Sequence, residues 1–235
     1  MASVLRFRGR IAGWGTASGT RVVVGRWDAS PFGAFADVMV ERPDGERVLL
    51  APSRDVAELV AATYRFDRVV LVPVAVADEP TAATVATRDA TDATDATDVE
   101  PETVAGAAAG RGRLPAWHVA AGPLDARIAV GPRTPLGRVL RAVPPALATS
   151  RHLTALTDPV ARVVLRGVRT RGSAGPGRVE HYGATDVHAL VAAETTWDGA
   201  PLGDLRDVDP PVRFGFGSTP RRPSVTDVVT TIVVR

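Results

Sequence analysis

The chain has 235 residues, 45% of them apolar, which suffices for one large domain or two small ones, and its formal net charge is only +2. It contains no lysine, cysteine, asparagine or glutamine, so the 28 basic residues are all arginine. That excludes Schiff-base and P-loop lysine chemistry, thiol nucleophiles, disulfides and thiolate metal sites; any polarising group must be Arg, His, a hydroxyl, a carboxylate or a backbone N–H. The enrichment in Ala, Arg, Gly, Pro, Val and Asp is what a GC-rich genome encodes, and the near-zero charge does not call for a nucleic-acid partner.

The N-terminal Arg6, Arg8 and Arg10 alternate with Leu5, Phe7 and Ile11, which predicts a strand over Leu5–Ala12 and not a signal peptide. Gly13-Trp-Gly15-Thr-Ala-Ser-Gly19 resembles a nucleotide loop, but the β-branched run Thr20–Trp27 behind it reads as strand where a dinucleotide fingerprint requires a helix. A hairpin turn is therefore expected over Gly13–Gly19. Strands over Ala34–Glu41 and Arg47–Ala51 flank Arg42-Pro-Asp-Gly-Glu46, a turn signal. Ser53 caps a helix in which Val56, Leu59, Val60 and Thr63 form the buried stripe, with Asp55 and Glu58 near its positive end. Asp67–Ala75 then returns as a strand. The apolar run Val69–Ala77 is far below the roughly 20 residues of a membrane span, so no membrane partner is expected and a cytoplasmic protein is.

Residues 78–113 differ in kind. Eight acidic residues between Asp78 and Glu102 face Arg88 alone, and the triplet repeat Asp89-Ala-Thr-Asp-Ala-Thr-Asp-Ala-Thr-Asp98 is followed by Ala- and Gly-rich sequence. With almost nothing large and apolar to bury, this segment predicts a disordered acidic linker. A docking arm for a basic face is the functional alternative.

Beyond it, Ala116–Ala120 and Leu124–Val130 read as a hairpin around Gly122-Pro123. A helical stretch ends at Pro144-Pro145, and Asp158-Pro159 starts another helix with Val160, Val163, Val164 and Val168 on its apolar face. Strands follow over Arg178–Tyr182, Val187–Thr196, Val212–Phe216 and Val228–Val234. The expected fold is α+β, mainly antiparallel β: a barrel or two packed half-barrels with a few helices. Its N-terminal half is 1–77 and its C-terminal half 114–235, packed as one domain.

Three patterns carry chemistry. His181, Asp186 and His188 are the tightest titratable cluster; Asp186 and His188 share a strand face while His181 lies across a turn, and such a set could hold a metal or make a base oriented by a carboxylate. The spacing matches no metal signature, and no metal or cofactor is expected. Ten arginines against Asp158 alone populate Ala126–Val179, and Arg162, Arg166 and Arg169 line one helix face at i, i+4, i+7. Such a face suits an anion or an acidic partner, whereas few aromatics accompany it and that speaks against nucleic acid. Arg213, Phe214 and Phe216 sit in a Gly/Phe strand that could line a cavity. No Gly-x-Ser-x-Gly elbow is present.

The blocks Arg8-Gly-Arg-Ile-Ala-Gly, Ser30-Pro-Phe-Gly-Ala-Phe-Ala-Asp37, Gly167-Val-Arg-Thr-Arg-Gly-Ser-Ala-Gly175 and Pro210-Pro-Val-Arg-Phe-Gly-Phe-Gly-Ser218 resemble those of an uncharacterised family of actinobacterial hypothetical proteins. That resemblance implies no activity. Strand content alone is similar to lipocalin-like and acetoacetate-decarboxylase-like barrels, and the decarboxylase chemistry is excluded because it needs a lysine. The function the sequence favours is binding of a small apolar or anionic ligand. An enzyme using His181, Asp186 and His188, or an arginine surface for nucleic acid or an acidic partner, are the alternatives. Oligomeric state is left open.

Overall fold

The structure is a computed structural model that describes residues 3–81, 114–144, 171–173, 178–215 and 219–234. The acidic repeat, the helix expected from Asp158 with Arg162, Arg166 and Arg169, and Phe216 lie outside the described residues.

Strands β1 (Ser3–Thr16), β2 (Arg21–Ala29), β3 (Phe35–Glu41) and β4 (Arg47–Ala51) form an antiparallel meander. Helix α1 (Arg54–Thr63) crosses to β5 (Arg68–Leu71), which runs parallel to β4. Then come β6 (Val74–Thr81), β7 (Leu114–Ala121), β8 (Leu124–Arg133), α2 (Pro135–Ala142), β9 (Arg171–Ser173) and β10 (Arg178–Trp197). The short β11 (Ala200–Pro201) and β12 (Leu205–Arg206) lead to β13 (Ser224–Val234). All belong to one sheet in the order β5-β4-β3-β2-β1-β13-β10-β8-β7-β6. Sequence from both sides of the acidic segment is thus interleaved: β13 pairs with β1, and β6 pairs with β7.

The predicted mainly antiparallel α+β architecture is the observed one, in the form of a curled half-barrel. Curling is visible in the core. One cluster joins Val38, Val40 and Val48 from one end of the sheet to Trp117, Val119 and Ile128 from the other, through Trp14 and Val225 in the middle. The period of two along each strand sends the alternate residues to the opposite face. There Ile11, Val23, Met39, Leu49, Tyr182 and Val228 pack under Val56, Ala57 and Val60 of α1. Ser53 caps α1 as expected, its hydroxyl accepting from Val56 N–H at 3.4 Å.

Four local expectations are corrected. Gly13–Gly19 is not a turn throughout: β1 continues to Thr16, and Gly15 is needed because a Cβ there would run into the Asp207 carbonyl where β12 pairs alongside. The single strand expected over Asp67–Ala75 breaks at Val72-Pro73, since proline has no N–H to give the ladder and Val72 N–H turns to Ala51 O at 3.0 Å. The strands at 178–182 and 187–196 are one strand, β10, because β13 pairs with both parts and a bulge between Ala184 and Asp186 absorbs the irregularity. Residues 212–215 are not strand. They are tied by Arg213 N–H and Nε to the Glu41 carboxylate at 2.7 and 2.6 Å and by Phe214 O to Arg65 N–H. β6 also runs four residues into the acidic segment, to Thr81, paired with Leu114.

Candidate functional site

Between α1 and the sheet lies a cavity of about 50 Å³. Its wall combines the apolar side chains of Phe7, Phe35, Leu59 and Ile232 with the polar ones of Asp37, Glu180, Tyr64, Tyr182 and Thr230. Strand alternation explains the assembly. Asp37 on β3, Glu180 and Tyr182 on β10 and Thr230 on β13 all fall on the α1-covered face, and α1 delivers Leu59 and Tyr64 from above.

Both carboxyl groups are buried, with residue exposures of 3% each. Trp27 Nε1–H donates to Asp37 Oδ1 at 2.9 Å, and Tyr64 O–H donates to Glu180 at 3.1 and 3.3 Å. Burial pushes Asp37 up to about 6, against the lowering effect of the Trp27 bond. Burial likewise pushes Glu180 up to about 7, Tyr64 opposing it. The phenols of Tyr64 and Tyr182 are pushed well above their ordinary range by burial first and by Glu180 next, so both are neutral donors. Tyr182 Oη and Thr230 Oγ1 are buried without a hydrogen-bond partner.

Close approach makes this corner intolerant of bulk. A Cβ on Gly25 would stand 2.5 Å from Asp37 Oδ1 and 2.7 Å from Trp27 Nε1. Gly25 thus leaves the space in which the indole and the carboxyl group meet.

The residues singled out from sequence distribute differently. Asp186 and His188 do meet, His188 Nε2 standing 3.6 Å from Asp186 Oδ2 while its Nδ1–H donates to Gly131 O at 3.3 Å. Asp186 is, however, clamped by Arg133 Nε at 2.8 and 2.9 Å and by Val187 N–H at 2.9 Å. Burial would raise its pKa, but these donors together hold it below the ordinary carboxylate range. His181 is farther along β10, opposite Thr231, and the strand's alternation turns it away from the face of Glu180 and Tyr182. Among the described residues no three His, Asp or Glu side chains are grouped to hold a metal. Arg213 is engaged with Glu41, and Phe214 packs against Phe66 at 5.6 Å in the core under α1.

A second concavity, about 880 Å³, opens on the face of β1 that carries Ala12 and Trp14. Arg6, Arg8, Arg10 and Arg141 line it together with Asp28, Asp186 and Asp227, so its charges are mixed. Sequence reading found Arg6, Arg8 and Arg10 only as alternating strand residues and Arg141 only as one of the ten arginines of Ala126–Val179. It did not single out Asp37, Trp27, Tyr64 or Glu180 as site residues. The available signal was Asp37 between Phe35 and Met39 on one strand face, whereas Glu180, flanked on its face by Arg178 and Tyr182, gave none.

No family model and no curated protein matches the sequence. Among solved structures the chain is similar to a Nitrosomonas europaea protein provisionally named AttH, at 11% identity and a TM-score of 0.24, over 100% of this chain and 40% of that one. The chain therefore spans less than half the length of that protein, and a likeness of this degree carries no argument. Among the described residues no helix is long and apolar enough to cross a membrane.

Proposed function

We propose that this protein binds a small, largely apolar ligand in the cavity between α1 and the sheet. The observation that carries the reading is the set of buried polar groups in the wall of that cavity. Asp37, Glu180, Tyr182 and Thr230 are each at most 3% exposed, and two of their hydroxyls have no partner. Buried polar groups are nearly always hydrogen-bonded, because stranding one costs about 1–3 kcal/mol. A fold built for stability alone would fill such positions with Val or Leu. Ligand pockets instead combine mostly apolar walls with a few convergent polar groups. Of the two ligand classes expected from sequence, the apolar one suits this site; an anionic ligand suits it poorly, since it would face carboxyl groups.

Native mass spectrometry of gently purified protein, followed by denaturing extraction, tests the reading. A stoichiometric small molecule is expected, and Gly25→Ala, which drives a methyl group into the Asp37–Trp27 corner, should reduce its occupancy at least several-fold. The reading fails if nothing is carried along and no member of a panel of small apolar compounds changes Trp27 fluorescence.

A second reading has its own support. Glu180, held near 7 by burial, has the pKa of a general acid–base at neutral pH. Acid–base chemistry would rest better on Glu180 and Asp37 than on Asp186 and His188, because Arg133 keeps Asp186 ionised and occupied. A bell-shaped rate profile lost in Glu180→Gln is the corresponding signature, once a substrate is in hand.

A further inference from the structure

The rows of the central ladder bring together residues that lie far apart in sequence. Arg6 on β1 is the direct partner of Thr231 on β13, and Thr231 is the direct partner of His181 on β10. The next row on that face is Arg8, Val229 and Gly183, and the one after it Arg10, Asp227 and Asp186. Direct partners share a face of the sheet, on strands about 4.8 Å apart. Arginine, threonine and histidine therefore stand in one row across three central strands, with a second arginine one row along. This is the face away from α1, on which the mixed-charge groove opens.

The acids of that groove have cations to answer them, whereas its first two arginines have no acid. Asp186 is held by Arg133, Asp227 faces Arg10 across the β1–β13 pair, and Asp28 acts on Arg26 of its own strand. Arg6 and Arg8 are exposed, and among the described residues neither has an ion-pair or hydrogen-bond partner. They are about 7 Å apart along β1, where like charges repel and an anion between them relieves the repulsion. Arg141 lines the same groove from α2, its side chain 65% exposed and its Nη1 3.8 Å from Asp186.

We propose that the groove binds, at Arg6 and Arg8, a compact phosphorylated ligand carrying one or two phosphoryl groups. Planar guanidinium forks match phosphoryl oxygens in pairs, and a terminal phosphoryl group has three such oxygens to share among several donors. The following row limits the size of the anion. A long polyanion running along β1 would pass from Arg6 and Arg8 onto Asp28, Asp186 and Asp227, so a nucleic-acid strand is disfavoured where a phosphate or diphosphate is not. The concavity of about 880 Å³ leaves room for the body of a small molecule behind its phosphate. Because this face is opposite the one covered by α1, the groove and the cavity are assayed separately.

Calorimetric titration of the full chain with inorganic pyrophosphate, at constant ionic strength, is the test. One-to-one binding is expected, and Arg6→Gln and Arg8→Gln should each weaken it about ten-fold or more, since each removes a charge-assisted contact. Both side chains are exposed, so neither substitution disturbs the core. Thr231→Val should weaken binding by a smaller factor if its hydroxyl donates to the anion. Arg54→Gln, which removes an exposed arginine from α1, should leave the affinity unchanged. Equal weakening by Arg54→Gln would reduce the effect to net charge and overturn the site, as would an absence of pyrophosphate binding. A single-stranded oligonucleotide that binds the native protein more tightly than pyrophosphate, and loses that advantage in Arg6→Gln, would overturn the compact ligand.

Discussion

Asp37 and Glu180 impose a pH dependence whose sign follows from burial. Each has a folded-state pKa above its unfolded value, Asp37 moving from 3.8 to about 6 and Glu180 from 4.5 to about 7. A raised acid is harmless to folding below its unfolded pKa, where both states are protonated. As pH rises, the unfolded chain ionises first, and stability is lost up to the folded pKa. The window is therefore about pH 4 to 7, and at 1.36 kcal/mol per unit each group removes about 3 kcal/mol by its upper end. Asp37→Asn and Glu180→Gln abolish that loss while keeping an oxygen to accept from Trp27 or Tyr64. Relative to wild type, each variant should be more stable at pH 8 by about 2–3 kcal/mol and nearly neutral at pH 4, as read from urea midpoints. Asp67 and Asp186 shift downwards under arginine bonds and titrate below this window, and both are common to variant and wild type. Equal effects at the two pH values would mean that the carboxyl groups are solvated. Two side chains that weaken the native state at neutral pH are kept for something other than stability. Asp37 and Glu180 are 143 positions apart and line one cavity only because β3 and β10 turn the same face to α1, so neither was legible as part of a site in one dimension.

Helix α1 is where local sequence was most legible and where its consequence was not. Ser53, Asp55 and the Val56, Leu59, Val60, Thr63 spacing specify a capped amphipathic helix, and the structure has it from Arg54 to Thr63. The hairpin at Arg42–Glu46 was equally explicit, with Gly45 at φ 91° in the turn. What spacing does not encode is the ground the helix lies on. Leu59 reads as core, yet it lines the cavity, and Tyr64, the C-cap residue, reaches Glu180 on a strand 116 residues later. Strand ends were legible only where a turn signal marked them. The break at Pro73, the uninterrupted β10 and the non-strand 212–215 depend on which neighbour pairs alongside. Because α1 both roofs the cavity and closes the parallel β4–β5 crossover, weakening its cap should loosen the roof before the sheet. Ser53→Ala removes the acceptor for Val56 N–H and is expected to cost about 1 kcal/mol. Hydrogen exchange should accelerate in α1 amides and leave β1 and β13 unchanged. Uniform acceleration across the sheet would show instead that α1 opens only with the whole molecule.

At the scale of the whole molecule, the acidic segment enters and leaves at one point. Thr81 and Leu114 are direct partners in the β6–β7 ladder, and pairing continues without a break to Val74 and Ala121. The sheet therefore needs from this connection only that it reverse the chain. β6 is also held from across the curled face, where Arg26 grips Asp78 at 2.7 and 2.8 Å while Arg10 and Arg26 stand over the Trp117 ring at 5.5 and 5.4 Å. Replacing 82–113 with an Asp-Gly turn keeps every one of these contacts. Shortening a connection of about thirty residues to two lowers the closure entropy by about four doublings of length, or about 2 kcal/mol. The shortened protein should thus fold, unfold at a higher urea midpoint and give the same Trp27 response to ligand, since the cavity lies on the opposite face. A different result would locate a role for the acid-rich sequence. Loss of soluble protein, or a midpoint below wild type, would mean that its carboxylates supply countercharge the fold requires. The groove of Arg6, Arg8, Arg10 and Arg141 is the surface on which that countercharge would act, and charge reversal of Arg6 and Arg8 in the full chain should then reproduce the loss.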